Sequence, residues 1–543
     1  MTTCRSLLSE INRDPATSTY GCLDRRFWAW KIADFPEATF QRNLLPLAWY
    51  ANQHKKKKEK NSIRKVVASG LLYTFQIQHR DGSYDQAYPN ERSYGATAFL
   101  LADLIQAYKN VRQSLETDDD EKILAGLQKS ADFLYKRNEE HGVISNHLAG
   151  SALGLLLAGQ LFGNQRYSDK AKEIVQSIVK SQSPEGWYPE YGGADPGYQT
   201  LCMYYLANIY QIFPESSLHD SLTKSLDFLK YFIHPDGSFG GEYGSRRTEI
   251  YYPGGIALLA SESDTAITMN RLMLDSIESG NTVTLMDVDM GNTAPLLNNY
   301  IQVLEMQIQG QQSRTEKLPF QKDNDIKVFD TAGIAAISQK RYYCILGGSC
   351  GGVAKIFNKA SSQIVMDDSG ILGKTSTGKT ISTQVNLPQN ELSLGNQTAL
   401  IKSKFFIIDT PDPAPLKFLI LRLLNLTLMN IKPVNEWIKK MLVGTLIKKQ
   451  KPVRMERKRT IKFFPDQIQI DDEIIKHGKL ILKNLRMGVK FSAIHMASAR
   501  YFHPGNLKAI DESEIDVDQF NKKNRVEIQQ TIKFTGNGVK IER

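Results

Sequence analysis
The stretch Ser145–Phe162, SNHLAGSALGLLLAGQLF, opens with polar residues and continues with apolar ones at three-and-four spacing. That period predicts a helix starting near Ser145. The same spacing recurs on both sides of it. It is present in VVASGLLYTFQIQ, AFLLADLIQAY and ILAGLQKSADFLY before, and in AKEIVQSIVKSQ, LCMYYLANIYQIF and SLTKSLDFLKYFI after, so residues 62–310 read as helices in pairs. Between the pairs lies a recurring loop with Gly and aromatics: DGSYDQ from Asp81, HGVISNH from His141, EGWYPEYGG from Glu185 and DGSFGGEYGS from Asp236. Repeats of this size indicate stacked helical hairpins. Aromatics and acids gathered in the loops predict a closed ring, an α/α toroid (an incomplete helical barrel), with its cleft at one end; an open solenoid, whose periods are usually tighter, is the alternative.

From about residue 325 the period changes to short β-rich runs: GIAAIS, RYYCILGG, VAKIFNK, TISTQVNL, KFFIID, TIKFFPDQIQI, KLILKNL, VEIQQTIKF and VKIER. Polar turns separate them, which predicts an antiparallel β-sandwich. The expected organisation is an α+β multidomain chain: a toroid over 1–315, a polar linker near 310–325 and a sandwich over 325–543. Residues 415–450 interrupt the strands with two basic amphipathic helices, LKFLILRLLNLTLMNI and VNEWIKKMLVGTLIKK.

Composition narrows the function. The chain has 543 residues, 41% hydrophobic and 23% charged, as in ordinary globular proteins; a disordered, collagen-like or coiled-coil chain is excluded. Cys4, Cys22, Cys202, Cys344 and Cys350 form no CxxC pair, which argues against a zinc ribbon and a disulfide scaffold and fits a reducing compartment. The N-terminus has no apolar run of signal-peptide length and no stretch is long enough to span a bilayer. The expected location is therefore cytoplasmic, peripheral to a membrane if the insert touches lipid. The net charge of +10 is concentrated in 415–459, where twelve Lys and Arg face only Glu436 and Glu456. The remainder is neutral, so no nucleic-acid partner is expected. The basic insert reads either as a solvated face over a sheet or as a contact with a membrane surface or an acidic polymer.

Gly373–Thr380, GKTSTGKT, fits the phosphate-loop pattern, but strand-like ISTQVNLP follows where a helix is required; a hairpin turn is expected. Asp118–Asp120 and Asp287/Asp289 read as helix-start acids. The block Tyr20–Gln41 pairs Arg with Asp among aromatics. It offers Arg25 and Trp28 as a sugar-stacking wall, or else as a cap on the ring.

The loops carry the chemistry. Asn146 and His147 stand at a helix start. EGWYPEYGGADPGYQ supplies Trp187, Tyr188, Glu190, Asp195 and Tyr198, and GGEYGSRRTE supplies Tyr243, Arg246 and Arg247. A proton beside a carboxylate becomes removable only when the developing enediolate charge is neutralised. Asn146 and Arg246 suit that role, with Arg247 beside them, and Tyr198 and His147 suit proton transfer. Trp187, Tyr188, Glu190, Asp195, Tyr243 and Arg247 are expected to bind substrate. Neither a metal cluster nor a cofactor is expected.

This constellation resembles the heparinase II/III-like superfamily of polysaccharide lyases and related uronyl C5-epimerases, which join an α/α toroid to a β-sandwich. SNH at Ser145–His147 is similar to the family's Asn-His pair, Gly197-Tyr198 to its catalytic Tyr step, and GGEYGSRRTE to its Gly- and Arg-containing loop. The resemblance implies C5-proton abstraction from a uronic-acid residue of an acidic polysaccharide, by β-elimination or epimerisation. The sequence departs from the family at Gln199, where several lyases have His. The family's further β-domain His has three candidates, His477, His495 and His503. The missing leader points towards making a surface polysaccharide. Two alternatives stand beside this reading. One is a glycoside hydrolase on the same toroid, using Glu190 or Asp195 with Glu242. The other is a non-catalytic polysaccharide-binding protein.

Overall fold
Several of the helices begin where a side chain takes up a free backbone amide. The computed structural model describes residues 1–139, 144–306, 316–387, 391–408, 414–430, 434, 451–494, 498, 501, 512–535 and 538–543. Its helical part comprises α1 (Thr2–Glu10), α2 (Arg25–Trp28), α3 (Leu44–Gln53), α4 (Lys57–Gln76), α5 (Tyr94–Val111), α6 (Thr117–Lys136) and α7 (Ser145–Phe162). It continues with α8 (Gln165–Ser181), α9 (Pro196–Ile212), α10 (Ser216–Leu229), α11 (Gly254–Leu258), α12 (Asp264–Ser279) and α13 (Met290–Met306). Ser93 caps α5 and Asp195 caps α9, the latter with Pro196 in the first turn, where its missing N–H costs nothing. α7 ends at Gly163 in the left-handed region, φ 61°. Asp118, Asp119 and Asp120 lie in the first turn of α6, as expected of helix-start acids.

The strands are β1 (Asp325–Phe329), β2 (Ile334–Ser338), β3 (Tyr342–Gly347), β4 (Val353–Asn358), β5 (Gln363–Asp368), β6 (Leu372–Thr375), β7 (Thr380–Ser382) and β8 (Glu391–Gly395). They continue as β9 (Thr398–Ile407), β10 (Lys451–Phe463), β11 (Gln467–Lys476), β12 (Leu482–Met487), β13 (Ser513–Glu514), β14 (Arg525–Thr535) and β15 (Gly538–Glu542). β1–β5 form one antiparallel meander. The others form a second sheet in the order β13-β12-β6-β7-β9-β10-β11-β14-β15, with β8 on β9. The predicted toroid followed by an antiparallel sandwich is what the chain forms.

Strands β2–β4 of the first sheet are buried on both faces, and strand alternation explains how. Ile334, Ala336, Tyr343, Ile345, Val353 and Phe357 pack into the helical core. Their neighbours Ala335, Ile337, Tyr342, Cys344, Leu346 and Ile356 pack against Ile401, Ile461, Ile470 and Phe534 of the second sheet. The result is three layers, toroid, inner sheet and outer sheet, which press the toroid's loops against a rigid floor.

One reading of the sequence holds and another needs qualification. The GKTSTGKT stretch is the hairpin turn between antiparallel β6 and β7, with Gly378 at φ 81°. The basic run is not one surface patch. Arg457 and Arg459 point into the sandwich, fully buried, and share Asp472 and Asp368. Alternation along β10 sends these two inward while Lys458 stays exposed. The first insert helix is α14 (Pro415–Leu426). The second expected helix, 434–449, lies outside the described residues except for Val434.

Candidate active site
Three loops converge at the start of α7, the start of α9 and the turn over 240–249. Asn146 is buried in the first turn of α7, and its Nδ2 donates to Glu190 Oε2 at 2.7 Å. The other Glu190 oxygen accepts from Arg246 Nη1 at 2.8 Å. Arg246 in turn lies across two phenol rings, its guanidinium carbon 4.4 Å from the centres of both Tyr191 and Tyr198. Tyr198 is in the first turn of α9 and donates its hydroxyl to Ser498 Oγ at 2.7 Å. Gly197 permits this closure, because a Cβ there would stand 2.7 Å from Thr248. Asn146, Glu190, Arg246 and Tyr198 thus form one contact chain, although they span a hundred residues of sequence.

The electrostatics follow from burial. Glu190 loses its water, which pushes its carboxyl up to about 7 against the opposing pull of Arg246 and His147. Burial raises the Tyr198 hydroxyl as well, and Arg246 opposes that rise. Tyr198 is therefore a proton donor at neutral pH. Among the described residues, buried Asn146 Oδ1 and Arg246 Nε have no hydrogen-bond partner.

His147 sits beside this chain, half-buried. Its Nδ1 contacts Glu139 Oε2 at 2.7 Å, and its ring meets Phe99 edge-on at 5.3 Å. A carboxylate on Nδ1 holds the proton there and leaves Nε2 as the acceptor. Gly95 makes room for the ring, since a Cβ there would approach it within 2.7 Å. Phe99 also stacks on Tyr205, whose hydroxyl accepts from Arg42; Arg42 is paired with buried Asp103 at 2.6 Å.

The other sequence-predicted residues hold structure. Asp195 accepts backbone N–H groups from Tyr198, Arg246 and Thr248, tying α9 to the 240–249 turn. Tyr188 is buried with its hydroxyl on Ser221, and Tyr243 is buried on His234. Trp187 donates to Glu185 and Thr331, where the loop meets the turn between β1 and β2. Arg247 is buried with a left-handed backbone, φ 57°, and reaches the Gln384 carbonyl at 2.8 Å. Arg25 and Trp28 bond to Ser9 and Glu10 of α1, the cap reading of that block. Glu242 joins Glu249 and Asp367, whose carboxylates lie within 4.8 Å of one another. Lys355 and Lys490 sit among these three acids, Lys355 at 2.6 Å from Glu249 and Lys490 at 2.8 Å from Asp367, and supply the positive charge. The acids a hydrolase would use are thus each bonded to a cation or to backbone donors. His477 is exposed beside Glu456, and His495 and His503 lie outside the described residues.

Sequence reasoning passed over Glu139, Tyr191, Ser498, Phe99 and the Arg42–Asp103 pair. Tyr191 lay within the quoted EGWYPEYGG loop. The others carried no local signal.

The helical start of this arrangement has a known counterpart. Residues 37–256 match the ulvan lyase N-terminal domain. That span contains Asn146, His147, Glu190, Tyr198 and Arg246. The chain is also similar in fold to the xanthan lyase of Paenibacillus: 10% identity, TM-score 0.53, covering 90% of this chain and 46% of that one. It is also similar to the chondroitin AC lyase of Streptomyces coelicolor solved with chondroitin sulphate: 10% identity, TM-score 0.56, covering 89% and 66%. The chain thus spans about half to two thirds of the length of these structures, and the likeness is one of fold. The expected likeness to α/α-toroid polysaccharide lyases is borne out in fold and by the lyase-domain match over 37–256. No curated protein matches the sequence. No helix among the described residues is long and apolar enough to cross a membrane.

Proposed function
We propose that the protein is a polysaccharide lyase that removes the C5 proton of a uronic-acid residue in an acidic polysaccharide and expels the C4 oxygen. The observation that carries this reading is the contact chain Asn146–Glu190–Arg246–Tyr198. It sets an amide and a guanidinium beside a phenol that is still protonated at neutral pH. The match of this region to a lyase domain supports it further.

In this reading the substrate carboxylate approaches Arg246 and Asn146, which stabilise the enediolate as C5 loses its proton. His147 Nε2 accepts that proton, its tautomer set by Glu139. Tyr198 donates its own proton to the departing C4 oxygen, and the C5–H electron pair becomes the new C4–C5 double bond. Glu190 orients both charge-stabilising groups. A polymer reaching the Tyr198 hydroxyl replaces Ser498 as its partner.

The test is incubation of the full chain in deuterated water with ulvan, xanthan, chondroitin sulphate and heparan sulphate. Ultraviolet absorbance of the unsaturated uronate is expected on at least one. Deuterium entering at C5 without that absorbance would replace the lyase with an epimerase. New reducing ends without unsaturation would replace it with a hydrolase.

A further inference from the structure
The described residues expose few large apolar side chains, and most of those gather at one place. Leu416, Leu419, Ile420, Leu423 and Leu426 recur at three-and-four spacing along α14, and each is 50% exposed or more. The opposite side of the helix is anchored to the toroid. Arg422 pairs with Asp34 and lies over the Phe35 ring, buried Asn425 offers its carbonyl to Asn90, and Arg422 and Asn425 share that side by their spacing of three. The helix is therefore held in place with its apolar stripe directed outward. A second, sequence-distant segment exposes apolar side chains beside the anchor of this helix. Trp30 is 69% exposed and Ile32 77% exposed, with Lys31 between them, just before the Asp34 and Phe35 that grip Arg422.

An exposed apolar patch of this extent needs a partner. Charge selects which. Lys31 and Lys417 stand exposed, Asp34 is taken by Arg422, and α14 itself contains no acid. In sequence the helix is followed by Lys432, Lys439, Lys440, Lys448 and Lys449 against Glu436 alone. Two copies meeting through this face would bring like charges together. A surface of acidic headgroups would pair them while taking up the Leu stripe and the Trp. Twelve residues of helix are about 18 Å long, short of the roughly 30 Å hydrocarbon core, so the helix would lie in the interface plane.

We propose that α14 and the Trp30–Ile32 turn form a docking face for an anionic lipid surface, holding the toroid at a membrane without crossing it. This face does not depend on the catalytic reading.

The test is co-sedimentation of the full chain with vesicles of equal parts phosphatidylcholine and phosphatidylglycerol. Binding is expected, and it should fall at least about tenfold on pure phosphatidylcholine vesicles or in the Leu419→Glu/Leu423→Glu double variant. Both substitutions sit on the exposed stripe, and unchanged thermal unfolding of the variant confirms the fold. Brominated lipid should quench part of the tryptophan emission, and Trp30→Phe should remove that part. The proposal is overturned if the wild-type chain stays in the supernatant, or if the double variant binds as the wild type does. It is overturned equally if the wild type dimerises without vesicles while the double variant is monomeric, which would assign the face to a second copy.

Discussion

The Arg246 guanidinium covers the ring of Tyr198 at 4.4 Å while its Nη1 is held by Glu190. A cation over the face of a phenol is attracted by the ring and fixes its orientation. Tyr198→Phe keeps that stacking and removes only the hydroxyl and its bond to Ser498. Unsaturated-product formation should fall by roughly 10²–10⁴, the range for loss of a general acid. Stability should change by only about 1 kcal/mol, one hydrogen bond. Initial rates and thermal unfolding measured side by side check this, and near-normal rates would remove Tyr198 from the chemistry.

Glu190 makes stability depend on pH in a specific direction. Its folded value of about 7 lies above its ordinary 4.5. Between these values the folded state retains a proton that the unfolded chain has released. Stability therefore decreases as pH rises through that window, by about 3 kcal/mol from this group, and levels off above it. Glu190→Gln stays neutral throughout and should lose that slope. Urea unfolding from pH 5 to 8 measures it; an unchanged slope in the variant would assign the effect to another group.

Glu139 sets the His147 tautomer through Nδ1. Glu139→Gln keeps the shape but lets the amide present either a donor or an acceptor. Loss of such an orienting partner costs typically 10–100-fold. The loss is expected in kcat with KM near its original value, since Glu139 acts through His147. A change confined to KM would make it a binding residue.

Asp472 accepts two hydrogen bonds from each of two buried guanidinium groups, Arg457 and Arg459, at 2.7–2.9 Å. Burial works to raise its carboxyl, but the two arginines hold it well below the usual carboxylate range. Asp472→Asn leaves two buried cations with Asp368 alone and should destabilise the chain by about 3–5 kcal/mol. Chemical denaturation checks the size. A loss under 1 kcal/mol would mean that the quartet is solvated.

Much of the architecture was legible because it is periodic. The three-and-four spacing of SNHLAGSALGLLLAGQLF became α7, and the neighbouring patterned stretches became α4–α6 and α8–α10. The alternation after residue 325 became two antiparallel sheets. The runs GIAAIS and RYYCILGG were already unbroken in sequence, as a sheet buried on both faces requires. The candidate site was legible to the extent that loops rich in Gly, aromatics and charge stand out between such runs, which brought forward Asn146, His147, Glu190, Tyr198 and Arg246.

Partnership was decided only by the tertiary structure. Asn146 finds Glu190 across 44 residues, Tyr198 finds Ser498 across 300, and Lys355 finds Glu249 across 106. Tyr188 and Tyr243 stand in the same loops as Tyr198, yet they turn into the core, because each has a buried hydrogen-bond partner there. Arg457 and Arg459 looked like their basic neighbours in sequence and are instead buried among carboxylates. The sequence by itself determined which segments are helices and strands and which face of each is apolar, since both follow from the local period of the side chains. Only the packing of toroid on sandwich decided which charged groups lose their water, and with it the groups they must bond, because that choice depends on what arrives from elsewhere in the chain.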